Sequence, residues 1–192
     1  MSLTILAAFL ALAAAGPDPT IEVPRSSFVR VRPLTPGGAE LLVEARRRSS
    51  IVASLLRRFE TTDAIVYVTD ALPTVRNGPK SNLVFLSLDT TVRYLRIWLD
   101  GSRLSPSERI AALGHELFHA LEVAAAPEVR DARSFVQLYR RIGWESTKDR
   151  FETQGARDMS ERIRKYLDRG DVELAELILP QGVKGSVSPG PS

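Results

Sequence analysis

Both histidines of the chain lie in one stretch, Gly114-His115-Glu116-Leu117-Phe118-His119-Ala120-Leu121-Glu122-Val123-Ala124, four residues apart. On an α-helix, residues i and i+4 stand one above the other on one face. His115 and His119 therefore project two imidazoles in the same direction, at a separation suited to a tetrahedral zinc ion. Glu116, one position on, is swung around the helix far enough to reach the ion's open side. There it can take a proton from a water that the ion has activated. The pattern encodes two ligands and one general base, and it leaves the ion one protein ligand short.

Chance is a poor account of the pattern. Two histidines scattered over 192 positions adopt this spacing roughly once in a hundred, and requiring Glu after the first brings it to roughly one in a thousand. Ala112, Leu113, Gly114, Leu117, Phe118, Ala120 and Leu121 around the motif are uncharged. A buried helix with two hydrogen-bonded histidines is the competing account. Packing alone, however, gives no reason to set two imidazoles and a carboxylate into so apolar a segment. The segment is helical on independent grounds. Ser105-Pro106-Ser107-Glu108 supplies a hydroxyl N-cap, a proline at the first helical position and a capping-box glutamate, and no breaker follows until Pro127.

The elements that must position this helix can be read on either side of it. Residues 37–59 carry a broad apolar stripe (Leu41, Leu42, Ala45, Ile51, Val52, Leu55, Leu56, Phe59) and predict one helix. Residues 64–68, AIVYV, predict a buried strand. Arg76-Asn77-Gly78-Pro79 is turn chemistry. Residues 82–88 and 92–99 are strand-like and joined by Asp89-Thr90-Thr91, a plausible antiparallel hairpin. Downstream, residues 131–142 predict a helix stopped by Gly143, and residues 148–167 another ending near Gly170, with a further turn or two over 172–179. The proline-rich stretch to Pro36 reads as extended, and the Gly, Ser and Pro of residues 181–192 as a disordered tail. One domain over residues 16–180 accounts for the rest.

Composition narrows the function classes. Hydrophobic residues make up 44% and charged residues 26%, ordinary for a globular protein. The net charge of +3 comes mostly from arginines in pairs and triplets, such as Arg46-Arg47-Arg48. Interspersed acids mark these as solvated helix faces, and no aromatics interleave them, so no nucleic-acid partner is expected. The chain has no cysteine, which excludes disulfides, thiolate metal sites and a cysteine nucleophile. Residues 3–15, LTILAAFLALAAA, are too short to span a membrane but fit the apolar region of a signal peptide cleaved before Gly16, although no Lys or Arg precedes them. We expect an exported protein, periplasmic or extracellular, with no membrane span after cleavage.

The HELFH stretch with its uncharged flanks resembles the zincin metallopeptidases, over about residues 105–126. That resemblance implies an α+β, zincin-like domain: a small, mostly antiparallel sheet over the H-E-x-x-H helix, an edge strand that holds a peptide substrate, and a helical C-terminal part. It also implies one zinc ion per chain. The branch with H-E-x-x-H-x-x-G-x-x-H does not fit, because Glu122 and Ala125 occupy the last two motif positions and no third histidine exists. What remains is similar to the glutamate-zincin type, in which a carboxylate on a downstream helix completes the site.

Glu122 lies about 10 Å along the helix axis from His115 and is better suited to supporting His119 than to binding the ion. Glu152 is the stronger candidate for the third ligand. Counted along a helix, it shares the inward face with Ala156, Met159, Ile163, Tyr166 and Leu167, where a carboxylate needs a cation or several donors. An interior glutamate paired with one of the arginines is its bland alternative; Glu145 is the runner-up ligand and Asp149 follows.

Zincins also place a downstream His or Tyr where an oxyanion develops. Tyr139 is carried as that candidate, with Tyr166, Arg140 and Arg141 as alternatives. The expected function is zinc-dependent hydrolysis of peptide bonds, with His115, His119 and Glu152 on the metal and Glu116 as general base. The rival is a protein that keeps the fold without turnover, as a binding or envelope structural module.

Overall fold

In the computed structural model, which describes residues 30–70, 80–147 and 150–178 (171–178 for the backbone alone), the motif helix lies among elements that bring distant residues to it. The apolar leader of residues 3–15, the extended stretch to residue 29, the Asn77-Gly78 turn, Asp149 and the tail from residue 179 fall outside the described residues.

A four-stranded sheet carries the order β1-β2-β4-β3, with β1 at Val31–Pro33, β2 at Ala64–Asp70, β3 at Ser81–Asp89 and β4 at Val92–Leu99. The predicted hairpin is β3–β4, closed by Thr90 and Thr91, with Thr90 at φ 51°. The sheet is not mostly antiparallel, however. β1 pairs with β2 and β2 with β4 in parallel, and only β3 runs antiparallel, at one edge. The reason is connectivity. Two helices link β1 to β2, and such a crossover brings the chain back in its original direction. β2 then pairs with the second strand of the hairpin rather than the first. The molecule is α+β, with a mixed sheet.

Alternation along β4 fixes which face meets the helices. Arg93, Leu95, Ile97 and Leu99 are buried, while Tyr94 and Trp98 between them are half-buried on the opposite face. Tyr94 stacks there on Tyr67, centroids 6.4 Å apart. The inward residues join Val66 and Val68 of β2 and the apolar stripes of the helices in one core.

The single helix expected over 37–59 is two, α1 (Pro36–Arg48) and α2 (Ser50–Arg58). Ser49 breaks it: its backbone is extended, and its hydroxyl accepts a hydrogen bond from Val52 N at 3.3 Å, capping the second helix. The apolar stripe continues across the break, so Leu41, Leu42, Ala45, Val52 and Leu55 still reach the same core.

The motif helix α3 (Pro106–Ala124) starts as its capping box predicts, with Ser105 and Glu108 bonded reciprocally. Its first turn is tied to β2 by an Arg109–Asp70 ion pair. Its far end is held by Arg93 of β4, which donates to the carbonyls of Val123, Ala124 and Ala126 and to Asp63. Helix α4 (Ala132–Ile142) is capped by Asp131 and ends at Gly143, as expected.

The chain between α4 and the last helix differs from expectation. Trp144–Thr147 (β5) and Arg150–Glu152 (β6) form an antiparallel hairpin, and α5 runs from Gln154 to Ile178 without a break at Gly170. Thr153 sets the start: its hydroxyl accepts from Ala156 N at 3.2 Å, an N-cap geometry that stops the helix from reaching back to 148. Helix α5 packs against α3 through Ala156, Ser160, Ile163 and Leu167, whereas Tyr166 faces solvent. Gly114 makes the approach possible, since a Cβ there would lie 2.1 Å from the Ile163 Cδ1 atom.

Candidate metal centre

Helix α3 presents His115 and His119 on the face that looks into a cleft of about 390 Å³. Glu152 enters the same cleft from the hairpin, not from a helix as the apolar stripe had predicted. It sits at the end of β6, one residue before the Thr153 cap. Gly143 lets the hairpin fold back this far, because a Cβ there would meet the Glu152 carbonyl oxygen at 2.2 Å. The Thr153 backbone N–H then donates to Glu152 Oε1 at 3.0 Å and fixes the carboxylate.

Distances separate two kinds of His–Glu contact here. His119 Nδ1 lies 2.8 Å from Glu122 Oε2, an ordinary charge-assisted hydrogen bond. Glu152 Oε1 lies 3.4 Å from His115 Nε2 and 3.4 Å from His119 Nε2, too long for bonds of that kind. Two ligand atoms held about 2.1 Å from a tetrahedral ion are themselves about 3.4 Å apart. The three side chains offer ligand atoms within 4.8 Å of one another and could hold a metal ion. Their chemistry, two imidazoles and a carboxylate, is a donor set that suits zinc.

The electrostatics point the same way. Burial opposes charge on His119, but the hydrogen bond to Glu122, the nearby Glu152 carboxylate and the field of Glu116 outweigh it and raise its pKa to about 9. Burial likewise opposes charge on Glu152, yet the two histidines and the Thr153 N–H hold its carboxyl below the usual range. A proton on His119 thus takes the place of the positive charge that the surrounding glutamates favour.

No family model, curated protein or solved structure matches the chain.

Glu116 is buried at 5% exposure and lines the cleft beside the histidines. Its Oε1 accepts a hydrogen bond of 2.7 Å from the Ser81 hydroxyl on β3. Ser81 had no sequence signal, because it opens an edge strand with nothing to distinguish it from any other serine. Glu122 supports His119 as expected, and its second oxygen accepts from Thr153 Oγ1 at 2.7 Å. Thr153 thus connects the support of one imidazole to the segment that carries Glu152. Its sequence signal was legible in principle: a threonine preceding Gln-Gly-Ala at the start of an amphipathic run is an N-cap pattern.

Tyr139 is buried in the cleft wall, and its hydroxyl donates to the His119 carbonyl at 2.9 Å. Burial, with the charges of Glu122, Glu116 and Glu152 behind it, pushes its phenol well above the ordinary value of 10. Its ring meets His119 edge-on, centroids 5.2 Å apart, and packs between Phe135 and Phe151. The runner-up ligand Glu145 lies exposed on β5 and outside the cluster.

Proposed function

We propose that the protein is an exported zinc-dependent peptidase with a zincin-like domain of the glutamate type. The single observation that carries this reading is the pair of 3.4 Å contacts from Glu152 to the two imidazoles, beside a 2.8 Å contact that is a true hydrogen bond. His115, His119 and Glu152 would hold one zinc ion. When bound, zinc polarises a substrate carbonyl and lowers the pKa of water to about 7.

The chain's own residues divide the remaining work. Glu116 accepts a proton and returns it to the leaving amine, and Ser81 holds its carboxylate in one orientation. Glu122 fixes the His119 ring so that Nε2 faces the cleft. Among the described residues strand β3 pairs only with β4, and residues 81–83 line the cleft, so a peptide can be held along this edge by strand addition. Among the described residues no helix is long and apolar enough to cross a membrane.

Metal analysis and a broad peptide library test the reading. We expect about one zinc per chain and cleavage by the wild type, with cleavage lost and zinc retained in Glu116→Gln. If zinc-loaded wild type cleaves nothing and Glu116→Gln behaves identically, the binding-module alternative replaces the enzyme.

A further inference from the structure

The cleft is not electrostatically even-handed. Its histidine, carboxylate and cationic lining is His115, His119, Glu116, Glu152, Lys80 and Arg150. A divalent ion would be offset by the two glutamates inside the cleft, with Glu122 behind His119 adding one more negative charge. Lys80 and Arg150 are then the cations that face an incoming substrate.

Their positions are fixed by the groups that build the centre. Lys80 immediately precedes Ser81, the donor to Glu116, and its carbonyl accepts from Asp100 N at 2.8 Å, which pins the backbone. Arg150 precedes Glu152 by two residues on β6, and residues two apart on a strand face the same way. The two cations therefore stand on different walls, one immediately before the edge strand and one on the hairpin, each within two residues of a side chain that reaches the centre.

Neither cation is committed elsewhere by an ion pair among the described residues. Lys80 feels the charge of Glu108, but that carboxylate is already bonded to Ser105 in the capping box. Arg150 has an exposed side chain, and its carbonyl accepts a hydrogen bond from the Ser146 hydroxyl at 3.3 Å. Two free cations flanking a site suit a carboxylate on the substrate, and their places on different walls suit one close to the bond being cut.

We infer that this cleft selects peptides carrying a carboxylate next to the scissile bond, held between Lys80 and Arg150, an inference that rests on the peptidase reading. The carboxylate can be an Asp or Glu side chain or the chain's own C-terminus. Lys80 and Arg150 are specificity-determining residues rather than parts of the hydrolytic machinery.

Peptide capture on zinc-loaded Glu116→Gln protein tests this without requiring turnover. The probe is a mixed-sequence set of N-acetylated dodecapeptides, offered once with amidated and once with free C-termini. Asp and Glu should be enriched over Asn and Gln in the amidated set if side chains are read, and free termini should be preferred if the terminus is read. Adding Lys80→Ala or Arg150→Ala should each weaken capture about twofold to fivefold, the range of partly exposed ion pairs, and the loss should shrink at high salt. Zinc content and circular dichroism of these variants confirm that site and fold survive. Equal capture of acidic and amide counterparts with no preference for free termini, or no capture at all, overturns the inference. A wild type that cuts peptides without acidic preference also overturns it and leaves the peptidase reading standing. A wild type that cuts none of the captured acidic peptides removes the peptidase reading while carboxylate selection is retained.

Discussion

Two polar clusters lie along helix α3, and they are built on opposite principles. At its C-terminal end, Arg93 is 3% exposed and completely answered. Nε bonds both oxygens of Asp63 at 3.1 Å, and the remaining nitrogens reach the carbonyls of Val123, Ala124 and Ala126 at 2.6 to 2.9 Å. Val123 and Ala124 belong to the last turn of the helix, where carbonyls lack helical partners, and the guanidinium also meets the negative end of the helix dipole. In the cleft, His115, His119 and Glu152 bring ligand atoms within 4.8 Å of one another and leave 3.4 Å between the carboxylate and each imidazole. The first cluster is closed and holds the helix in place. The second is open, and its members are mutually incomplete. A buried polar group that lacks a full set of protein partners is where a ligand should be sought.

The largest effect should come from the open cluster. On the proposed zinc site, His115→Ala removes one of three ligands. A zinc site of about 10–16 kcal/mol shared among its ligands puts one at several kcal/mol, so affinity should fall about 10³-fold or more. Metal analysis after dialysis should read near zero. The metal-free variant should unfold at the same urea midpoint as the metal-free wild type, because no closed hydrogen-bond set is broken. If the metal-free variant is instead strongly destabilised, the two clusters are not different in kind.

Arg93→Ala inverts that pattern. It takes a donor from three carbonyls, of which Val123 and Ala126 keep a backbone N–H partner, and leaves Asp63 without its cation; breaking a buried pair from one side costs about 3–5 kcal/mol. Urea unfolding should show this loss, while the folded variant still binds one zinc. The Asp63 side chain is 43% exposed and can rehydrate, which places the expected value towards the lower end of the range. A loss under about 1 kcal/mol would mean that the cluster behaves as a surface ion pair.

The clusters also differ in how far they could be read from sequence. The open one was legible because a helix sets the spacing of most of its groups: HELFH puts His115, Glu116 and His119 on one helix, and only Glu152 is remote. Glu152 was reached from the apolar period of α5, although it lies on a strand. The stripe of Ala156, Ile163 and Leu167 is real, but Thr153 ends it one residue after Glu152. Hairpin β5–β6 was invisible because its β5 residues are all exposed and carry no alternation. The closed cluster left no local trace. Arg93 gains its meaning from carbonyls about 30 residues away, and the parallel pairing of β2 with β4 that brings Asp63 beside it depends on a crossover. Periodicity reports faces, and it does not report which element lies opposite.

Glu122→Ala sharpens the comparison at intermediate size. Glu122 belongs to both principles: one oxygen orients His119 and the other closes on Thr153. Removing such a support costs about 10–100-fold in metal affinity, which a competition titration with a chelator would resolve. Thr153→Val cuts the same link from the other side and should weaken zinc in the same direction, by less. If Glu122→Ala left zinc affinity unchanged, its bond to His119 would be packing and not support.

The smallest effect decides the role of Tyr139. Its hydroxyl donates to the His119 carbonyl, which is an acceptor with two lone pairs inside a helix and so keeps a partner when the tyrosine is lost. Tyr139→Phe should therefore cost about 1 kcal/mol of stability, the net value of one buried hydrogen bond, and leave zinc binding intact. The phenol stays protonated at any working pH, since burial pushes it well above 10. Two roles remain open to it, and they differ in rate. A donor to the developing oxyanion is worth about 10²–10³ in kcat, whereas a tyrosine that only seats His119 leaves kcat within about threefold. In the structure its proton is held by a backbone carbonyl on the helix, so we expect the small change. A hundredfold loss of turnover in Tyr139→Phe, with zinc and stability near wild type, would show that the hydroxyl leaves that carbonyl during the reaction. Tyr139 would then belong to the open cluster instead of to the wall that supports it.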